Sequence, residues 1–148
     1  MKRLGVALLV LLTFAQCKKD EDQGAADRDL ILKYISDNNL DAIEAEEGLF
    51  YVVEDEGSAD QCQWNSTIKA NYKGYLLDGT VFDEGQLDQF SLTNAIRGWQ
   101  IGMAKFKENG SGILLIPSAL GYGAQGSGSG SVPPNAVIIF DVELIKVY

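Results

Sequence analysis

The strongest local signal of the fold is the sequence Tyr72-Lys73-Gly74-Tyr75-Leu76-Leu77-Asp78-Gly79-Thr80-Val81-Phe82-Asp83. Asp78-Gly79 separates two apolar runs, and this pair is a strong signal of a tight hairpin turn because glycine readily adopts the left-handed backbone that such turns need. Before the turn, Ile68, Ala70 and Tyr72 alternate with polar residues, which is typical of a strand with one buried face. The stretch therefore predicts two antiparallel strands.

Three further strands are predicted outside the hairpin, at residues 49–53, 113–116 and 137–147. The first is rich in β-branched and aromatic residues, and alternate residues of the last are apolar. Pro117 should end the second, because proline cannot donate a hydrogen bond within a sheet. The turns that flank these strands favour antiparallel pairing.

One short helix is predicted after Asn94, its expected N-cap, with Ile96, Trp99 and Met103 on one face. Together these elements predict an α+β fold, a twisted antiparallel sheet of five to six strands wrapped around that helix. Residues 119–134 form a long loop with Gly-Ser-Gly-Ser-Gly-Ser at 126–131. The loop has little apolar surface, so we expect it to be mobile or functional.

The first sixteen residues have the layout of a secretory signal. Lys2 and Arg3 precede an apolar run at 4–12, which is shorter than the roughly 20 residues that span a bilayer. Cys17 then resembles the lipidated cysteine of bacterial lipoproteins. We predict a signal peptide at 1–16, lipidation of Cys17 and a flexible tether at 17–26. Plain secretion and an unprocessed apolar N-terminus are the alternatives.

Cys62 is the one other cysteine, so a lipidated Cys17 leaves it without a disulfide partner. A Cys17–Cys62 bridge is the alternative in an oxidising compartment. The run Lys18-Lys19-Asp20-Glu21-Asp22 resembles the signal that sends some Gram-negative lipoproteins to the cell surface, and a merely solvated tether explains it equally well. We therefore expect the protein in a bacterial envelope, lipid-anchored to the outer membrane on its periplasmic or surface face.

A helical segment is predicted at residues 27–47, before the main domain at 48–148. Leu30, Ile31, Tyr34 and Ile35 form its apolar stripe, and the helix should end near Asn38. Such a stripe packs either on its own domain or on a second copy. Because the helix is short, we expect it to pack on its own domain and the protein to be a monomer.

Composition excludes several classes of function. The formal net charge is −9, which argues against a nucleic-acid partner. The chain has no histidine, which removes Ser/His/Asp catalysis, Cys/His catalysis and most zinc sites. With 148 residues, 46% of them apolar, it is long enough for one domain with a real core. We predict no metal and no cofactor.

Residues 72–83 resemble the segment Tyr-x-Gly-x-Leu-x-Asp-Gly-x-x-Phe-Asp of the FKBP-type peptidyl-prolyl cis-trans isomerases. Further matches follow in the family's order: Ile96-Arg97-Gly98-Trp99, Gly121-Tyr122-Gly123, Val132-Pro133-Pro134-Asn135 and Phe140-Asp141-Val142-Glu143-Leu144. A helical segment followed by Gly-Leu-Phe-Tyr at 48–51 is similar to the order found in bacterial envelope members. The resemblance covers residues 49–148 and implies an FKBP-like fold with an N-terminal helical appendage.

The resemblance also implies a ligand pocket. Its catalytic residues would be Tyr72, Phe82, Asp83, Trp99, Tyr122 and Phe140, and its substrate-binding residues Phe90, Ala95, Ile96 and Val132. The proline ring of an extended Xaa-Pro segment would rest on Trp99. The backbone N–H of Ile96 and the hydroxyl of Tyr122 would donate hydrogen bonds to carbonyls of the bound chain.

The function implied is peptidyl-prolyl cis-trans isomerisation during the folding of exported, proline-containing polypeptides, with a macrolide as a possible inhibitor. The alternative is a non-catalytic peptide-binding or chaperone module on the same fold. The sequence departs from the family where the Gly/Ser loop replaces apolar residues before Val132, with Ser131 where a rim isoleucine is common and Ala95 where valine is usual. The loop favours the alternative, and the retained Phe82, Asp83, Trp99 and Tyr122 favour the enzyme.

Overall fold

The computed structural model describes the backbone of residues 8–148 and the side chains from residue 19 onward. Its helices and strands are α1 Leu8–Asp37, β1 Ile43–Glu44, β2 Phe50–Asp55, β3 Thr67–Leu76, β4 Val81–Ser91, α2 Arg97–Met103, β5 Ser111–Ile116 and β6 Ile138–Val147. Short 3₁₀ turns lie at Glu46–Gly48, Leu92–Asn94, Ser118–Leu120 and Gly123–Gln125. No helix in this part of the chain is long and apolar enough to cross a bilayer.

The six strands form one open antiparallel sheet in the order β1-β2-β5-β6-β3-β4. The predicted hairpin is confirmed, because β3 and β4 pair across Asp78-Gly79. Gly79 has a φ of 88°, and its N–H donates to the carbonyl of Leu76 at 2.9 Å. A side chain at this φ would be strained, which is why the turn needs glycine. The α+β prediction is therefore confirmed.

Helix α2 packs on one face of the sheet and forms the main core with β3, β5 and β6. Its buried side includes Trp99, Ile101 and Met103. A Cβ on Gly98 would lie 2.5 Å from Cγ2 of Ile116, so glycine lets the helix approach β5 closely. Asn94 is not its N-cap as predicted: it ends the preceding 3₁₀ turn, and Ile96 takes the cap position without a side-chain bond.

Helix α1 packs on the opposite face of the sheet, so the sheet lies between the two helices. Its Ile31 is fully buried in a second cluster with Phe50, Val52, Leu115 and Val137. The prediction that this helix packs on its own domain is confirmed. Leu30, by contrast, is 45% exposed and does not belong to the apolar stripe.

The predicted tether at 17–26 is helical in the structure, since α1 runs from Leu8 to Asp37 without a break. The segment contains no proline, and extending an existing helix costs far less than starting one. Residues 1–7 and the side chain of Cys17 lie outside the described part of the chain, so the signal peptide and the lipid remain predictions.

The loop between β5 and β6 contains two 3₁₀ turns before its Gly/Ser segment. Ser127, Ser129 and Ser131 hydrogen-bond one another through their hydroxyls at 2.8–3.3 Å. Ser127 also binds Val132 twice: its N–H donates to the carbonyl at 3.0 Å and its Oγ accepts from the N–H at 2.9 Å. The segment thus folds on itself through polar contacts, as its lack of apolar surface implies.

Candidate active site

An open cleft of about 230 Å³ lies where the β3–β4 hairpin meets the N-terminal end of α2 and the loop after β5. Its lining is mainly aromatic and aliphatic, with one carboxylate and one amide: Tyr72, Asp83, Leu87, Phe90, Asn94, Ala95, Ile96, Trp99, Tyr122 and Phe140. A concave apolar site with few polar groups is the usual form of a ligand pocket.

Trp99 lines the cleft from the buried side of α2 and is only 4% exposed. Its ring meets Tyr72 edge to face at a centroid distance of 5.6 Å and Phe140 at 5.4 Å. Such T-shaped pairs stabilise beyond the area they bury, and they hold each ring in one orientation. Among the described residues, the buried indole Nε1 has no hydrogen-bond partner. The ring contacts make Trp99 a rigid aromatic surface in the cleft.

Phe82 stands behind the lining and supports it. Its ring meets Phe140 at a centroid distance of 5.5 Å and Tyr122 at 6.3 Å, both edge to face. Gly74 makes this packing possible, because a Cβ there would lie 2.7 Å from both Phe82 and Phe140. The glycine between the two tyrosines of β3 is thus needed for the aromatic cluster to close.

The polar groups of the cleft centre on two tyrosines and Asp83. Tyr72 donates a hydrogen bond to Oδ2 of Asp83 at 3.1 Å. Burial, reinforced by this bond, raises the pKa of Tyr72. Burial also raises the pKa of Tyr122, with a smaller effect of the charge on Asp83. Both hydroxyls therefore keep their protons at neutral pH. Within the described residues, the hydroxyl of Tyr122 makes no hydrogen bond and is free to donate.

The cleft also exposes a backbone donor at the start of α2. The first N–H groups of a helix lack acceptors within it, and the described part of the chain provides none for the N–H of Ile96. Ile96 itself lies at the helix cap with extended backbone, at φ −56° and ψ 153°. The cleft therefore offers two donors to the carbonyls of a ligand that lies above Trp99, this N–H and the Tyr122 hydroxyl.

Of the ten pocket residues predicted from sequence, eight line the cleft, and Phe82 packs against two of them. Val132 does not line it: the residue is 2% exposed and lies in the core at the base of the Gly/Ser loop. None of the loop residues 126–131 lines the cleft either. The loop therefore leaves this side of the cleft open.

Sequence reasoning missed Leu87 and Asn94, which also line the cleft. Strand β4 explains Leu87: Ala70 pairs with Leu87 but Ile68 pairs with Phe90, so β4 has one extra residue there. Gln89 in this bulge has a φ of 50°. The bulge lets Leu87 and Phe90, three residues apart, face the same side, which a regular strand forbids. In the sequence, the three-residue spacing between Leu87 and Phe90 is the signal that could have indicated this bulge.

Comparison with known proteins identifies the family of the chain. The profile of the family described as FKBP-type peptidyl-prolyl cis-trans isomerase matches residues 59–145. The chain belongs to this family. A probable FKBP-type isomerase of Haemophilus influenzae is 41% identical over 104 residues, which are 68% of this chain and 43% of that protein. An FK506-binding protein of Neisseria meningitidis is 41% identical over 105 residues, covering 66% of this chain and 95% of that protein.

Similar solved structures extend the likeness to α1. The crystal structure of FkpA from Escherichia coli has a TM-score of 0.73 at 29% identity, over 99% of this chain and 74% of that one. The crystal structure of a Pseudomonas syringae isomerase has a TM-score of 0.74 at 27% identity, over 86% of this chain and 94% of that one. In sequence, the chain spans only 38% of the curated Escherichia coli FkpA, about two fifths of its length.

Proposed function

We propose that this FKBP-type chain accelerates cis-trans rotation about Xaa-Pro bonds in proline-containing polypeptides, during the folding of exported proteins. The observation that carries the proposal is the buried Trp99 surface at the bottom of an open cleft, with a free Tyr122 hydroxyl at its rim. The cleft offers a flat apolar seat for a proline ring. Family membership supports the same reaction.

The chemistry asks little of the side chains. Rotation about the C–N bond crosses a barrier of ~18–20 kcal/mol because resonance is lost, and the twisted amide is less dipolar than the planar one. An apolar cleft formed by Trp99, Phe140 and Phe90 stabilises the twisted state relative to the solvated planar state, which is differential binding. No proton is transferred and no covalent bond is made, so the absence of histidine is no obstacle.

The two free donors hold the substrate chain while the bond turns. We assign the N–H of Ile96 and the hydroxyl of Tyr122 to carbonyls of the bound polypeptide, one on each side of the proline. Asp83 and Tyr72 fix each other in the cleft wall, Ala95 lines it as well, and Phe82 supports the lining from behind. Val132 acts at one remove, since it anchors the base of the Gly/Ser loop.

The test is the rate of cis-to-trans conversion of a short Xaa-Pro peptide by the full chain, measured with and without a macrolide of the FK506 class. Acceleration that the macrolide abolishes supports catalysis in this cleft. Macrolide binding without acceleration supports the alternative, a non-catalytic peptide-binding module. Membership of an isomerase family favours the enzyme over this alternative. Absence of both would overturn the proposed function.

We propose that the chain reaches a bacterial envelope as a lipoprotein anchored through Cys17. The basic start, the short apolar run and the cysteine that follows it support this proposal. Cells expressing the full gene are labelled with a radioactive fatty acid, with Cys17→Ser as the test variant and Cys62→Ser as the matched control. Label in the unchanged chain and in Cys62→Ser, but not in Cys17→Ser, supports the anchor. Absence of label in the unchanged chain excludes it.

We propose further that the protein is a monomer. Ile31, Tyr34 and Ile35 of the α1 stripe already pack against the sheet of their own chain, and Ile31 is fully buried there. The stripe is then unavailable for a second copy. Sedimentation equilibrium of the full chain in mild detergent tests this, and a dimer mass that persists on dilution would contradict it.

A further inference from the structure

Asp27 is a buried carboxylate that the proposed reaction does not use. It lies on α1 and is 1% exposed, and its partner Ser118, also buried, is 2% exposed. Oδ2 accepts hydrogen bonds from the N–H of Ser118 at 2.8 Å and from its Oγ at 2.5 Å. Oδ1 accepts from Nε2 of Gln23 at 2.7 Å. A carboxylate is buried this deeply only when such bonds replace its water.

Ser118 is the first residue of the 3₁₀ turn Ser118–Leu120. The N–H groups at the start of a helical turn have no acceptor inside it, and a side chain just before the turn usually supplies one. Here that position is Pro117, which makes no capping bond. Asp27, 91 residues earlier in the chain, provides the missing acceptor. The N-terminal helix therefore caps a turn in the loop that forms the cleft.

This turn leads directly to Tyr122. The N–H of Leu120 donates to the carbonyl of Pro117 at 3.0 Å, and that of Gly121 to the carbonyl of Ser118 at 3.0 Å. On the far side of Tyr122, the N–H of Asn135 donates to the carbonyl of Gly123 at 2.8 Å. The tyrosine thus sits between two fixed points, of which the first is held by α1.

We infer that Asp27 is a positioning residue, which acts through Ser118 to place the Tyr122 hydroxyl for substrate binding. The inference rests on the proposed function and deepens it, because it makes α1 part of the substrate site. A hydroxyl displaced by even 1 Å no longer bonds its carbonyl well. Losing Asp27 frees the Ser118 turn and lets Tyr122 drift, while Trp99, on α2, keeps its place.

The experiment compares Asp27→Ala, Asp27→Asn and the matched control Asp29→Asn, all in the full chain. Asp29 lies two residues away on the same helix and is exposed. We expect Asp27→Ala to raise KM for the Xaa-Pro peptide about five- to tenfold with kcat within about twofold, because a ground-state contact is lost. Asp27→Asn should restore most of the affinity, since its amide oxygen accepts from Ser118. Asp29→Asn should match the unchanged chain.

Two readouts separate positioning from plain stability. Amide hydrogen exchange should rise at residues 118–125 in Asp27→Ala and stay unchanged in β5 and β6. In a Tyr122→Phe background, Asp27→Ala should add little to KM, since the two changes act through the same hydroxyl. If Asp27→Ala does not fold, Ser118→Ala replaces it, with an intermediate rise in KM because only the Oγ donor is lost.

The inference is overturned if Asp27→Ala leaves both KM and exchange at 118–125 unchanged. It is equally overturned if the KM effects of Asp27→Ala and Tyr122→Phe multiply, or if Asp27→Asn fails to rescue. If the unchanged chain itself shows no acceleration, the proposed function fails separately. Exchange at 118–125 then decides this inference alone, and equal protection in Asp27→Ala would overturn it.

Discussion

Tyr72 and Asp83 face each other across the β3–β4 hairpin, and the tyrosine hydroxyl donates to the carboxylate at 3.1 Å. The same tyrosine meets Trp99 edge to face. One residue therefore links the polar wall of the cleft to its apolar floor. Tyr75, on the same strand, makes a hydrogen bond of the same kind, from its hydroxyl to Asp141 at 2.8 Å, but it does not line the cleft.

This pairing gives a matched prediction. Tyr72→Phe and Tyr75→Phe each remove one tyrosine–carboxylate bond, and each should lower the free energy of unfolding by about 0.5–1.5 kcal/mol. Only Tyr72→Phe should lower kcat/KM for the Xaa-Pro peptide, because it releases Asp83 beside the substrate. Urea unfolding and the peptide assay measure both. Equal loss of activity in the two variants would show that Tyr72 acts through the fold alone.

Tyr122→Phe should weaken substrate binding without disturbing the fold. The hydroxyl has no partner among the described residues, so its removal costs nothing in the free protein and one carbonyl bond, about 0.5–1.5 kcal/mol, in the complex. KM should rise by up to about tenfold. Tyr148→Phe is the control, since its hydroxyl binds Asp88 at 2.6 Å and neither residue lines the cleft. An unchanged KM in Tyr122→Phe would remove this tyrosine from the site.

Trp99→Ala should reduce both stability and activity, because the ring is core and cleft floor together. We expect a loss of about 3–5 kcal/mol in the free energy of unfolding. Trp64 is 56% exposed, so Trp64→Ala should change the free energy of unfolding by no more than about 0.5 kcal/mol and should leave activity unchanged.

The variant Trp64→Phe leaves Trp99 as the sole tryptophan, and its fluorescence should shift on macrolide binding. Full turnover in folded Trp99→Ala would place the site elsewhere.

Two helix glycines should respond in opposite ways to alanine. At Gly98 a Cβ would meet Ile116 Cδ1 at 2.8 Å, so Gly98→Ala should push α2 from β5 and cost about 1–3 kcal/mol of stability. At Gly24 on α1 nothing lies within 4 Å, so Gly24→Ala should stabilise the helix by about 0.5–1 kcal/mol. Thermal unfolding of both variants checks this. A stabilised Gly98→Ala would mean that the helix can shift freely.

The buried Cys62 thiol should make stability fall at alkaline pH. Burial raises its pKa from 9.0 to about 11, so the folded protein holds the proton more tightly than the unfolded chain. The resulting stability is complete below pH 9 and is lost as the pH rises towards 11. Between about pH 8 and pH 10.5, the intact chain should lose roughly 1–3 kcal/mol more than Cys62→Ala. Equal losses in urea unfolding would contradict the shift.

The burial of Cys62 also bears on the two cysteines. The thiol is free and 1% exposed, packed in the main core. A Cys17–Cys62 bridge therefore needs the Cys62 sulfur to leave this core or the Cys17 sulfur to enter it. The bridge and the lipidation of Cys17 both stay predictions, and labelling tests the lipid.

Most of the cleft could be predicted from sequence because its residues lie beside local signals. Asp78-Gly79 fixes the hairpin that presents Tyr72 and Asp83, and apolar spacing fixes the helix that presents Trp99. What could not be predicted depends on register and on distant contacts. The bulge at Gln89 brings Leu87 into the lining, and no local rule requires a bulge there.

Local sequence signals were sufficient to predict the strands, the short helix and the aromatic residues of the site, because hairpin turns and apolar periodicity act between near neighbours in the chain. Three features depend instead on the packed fold: Val132 lies in the core, α1 runs through residues 18–26, and Asp27 caps Ser118. The last of these contacts joins two buried polar groups that lie 91 residues apart in the chain. Such pairing follows from packing and hydrogen-bond satisfaction in the folded state, which local patterns do not contain.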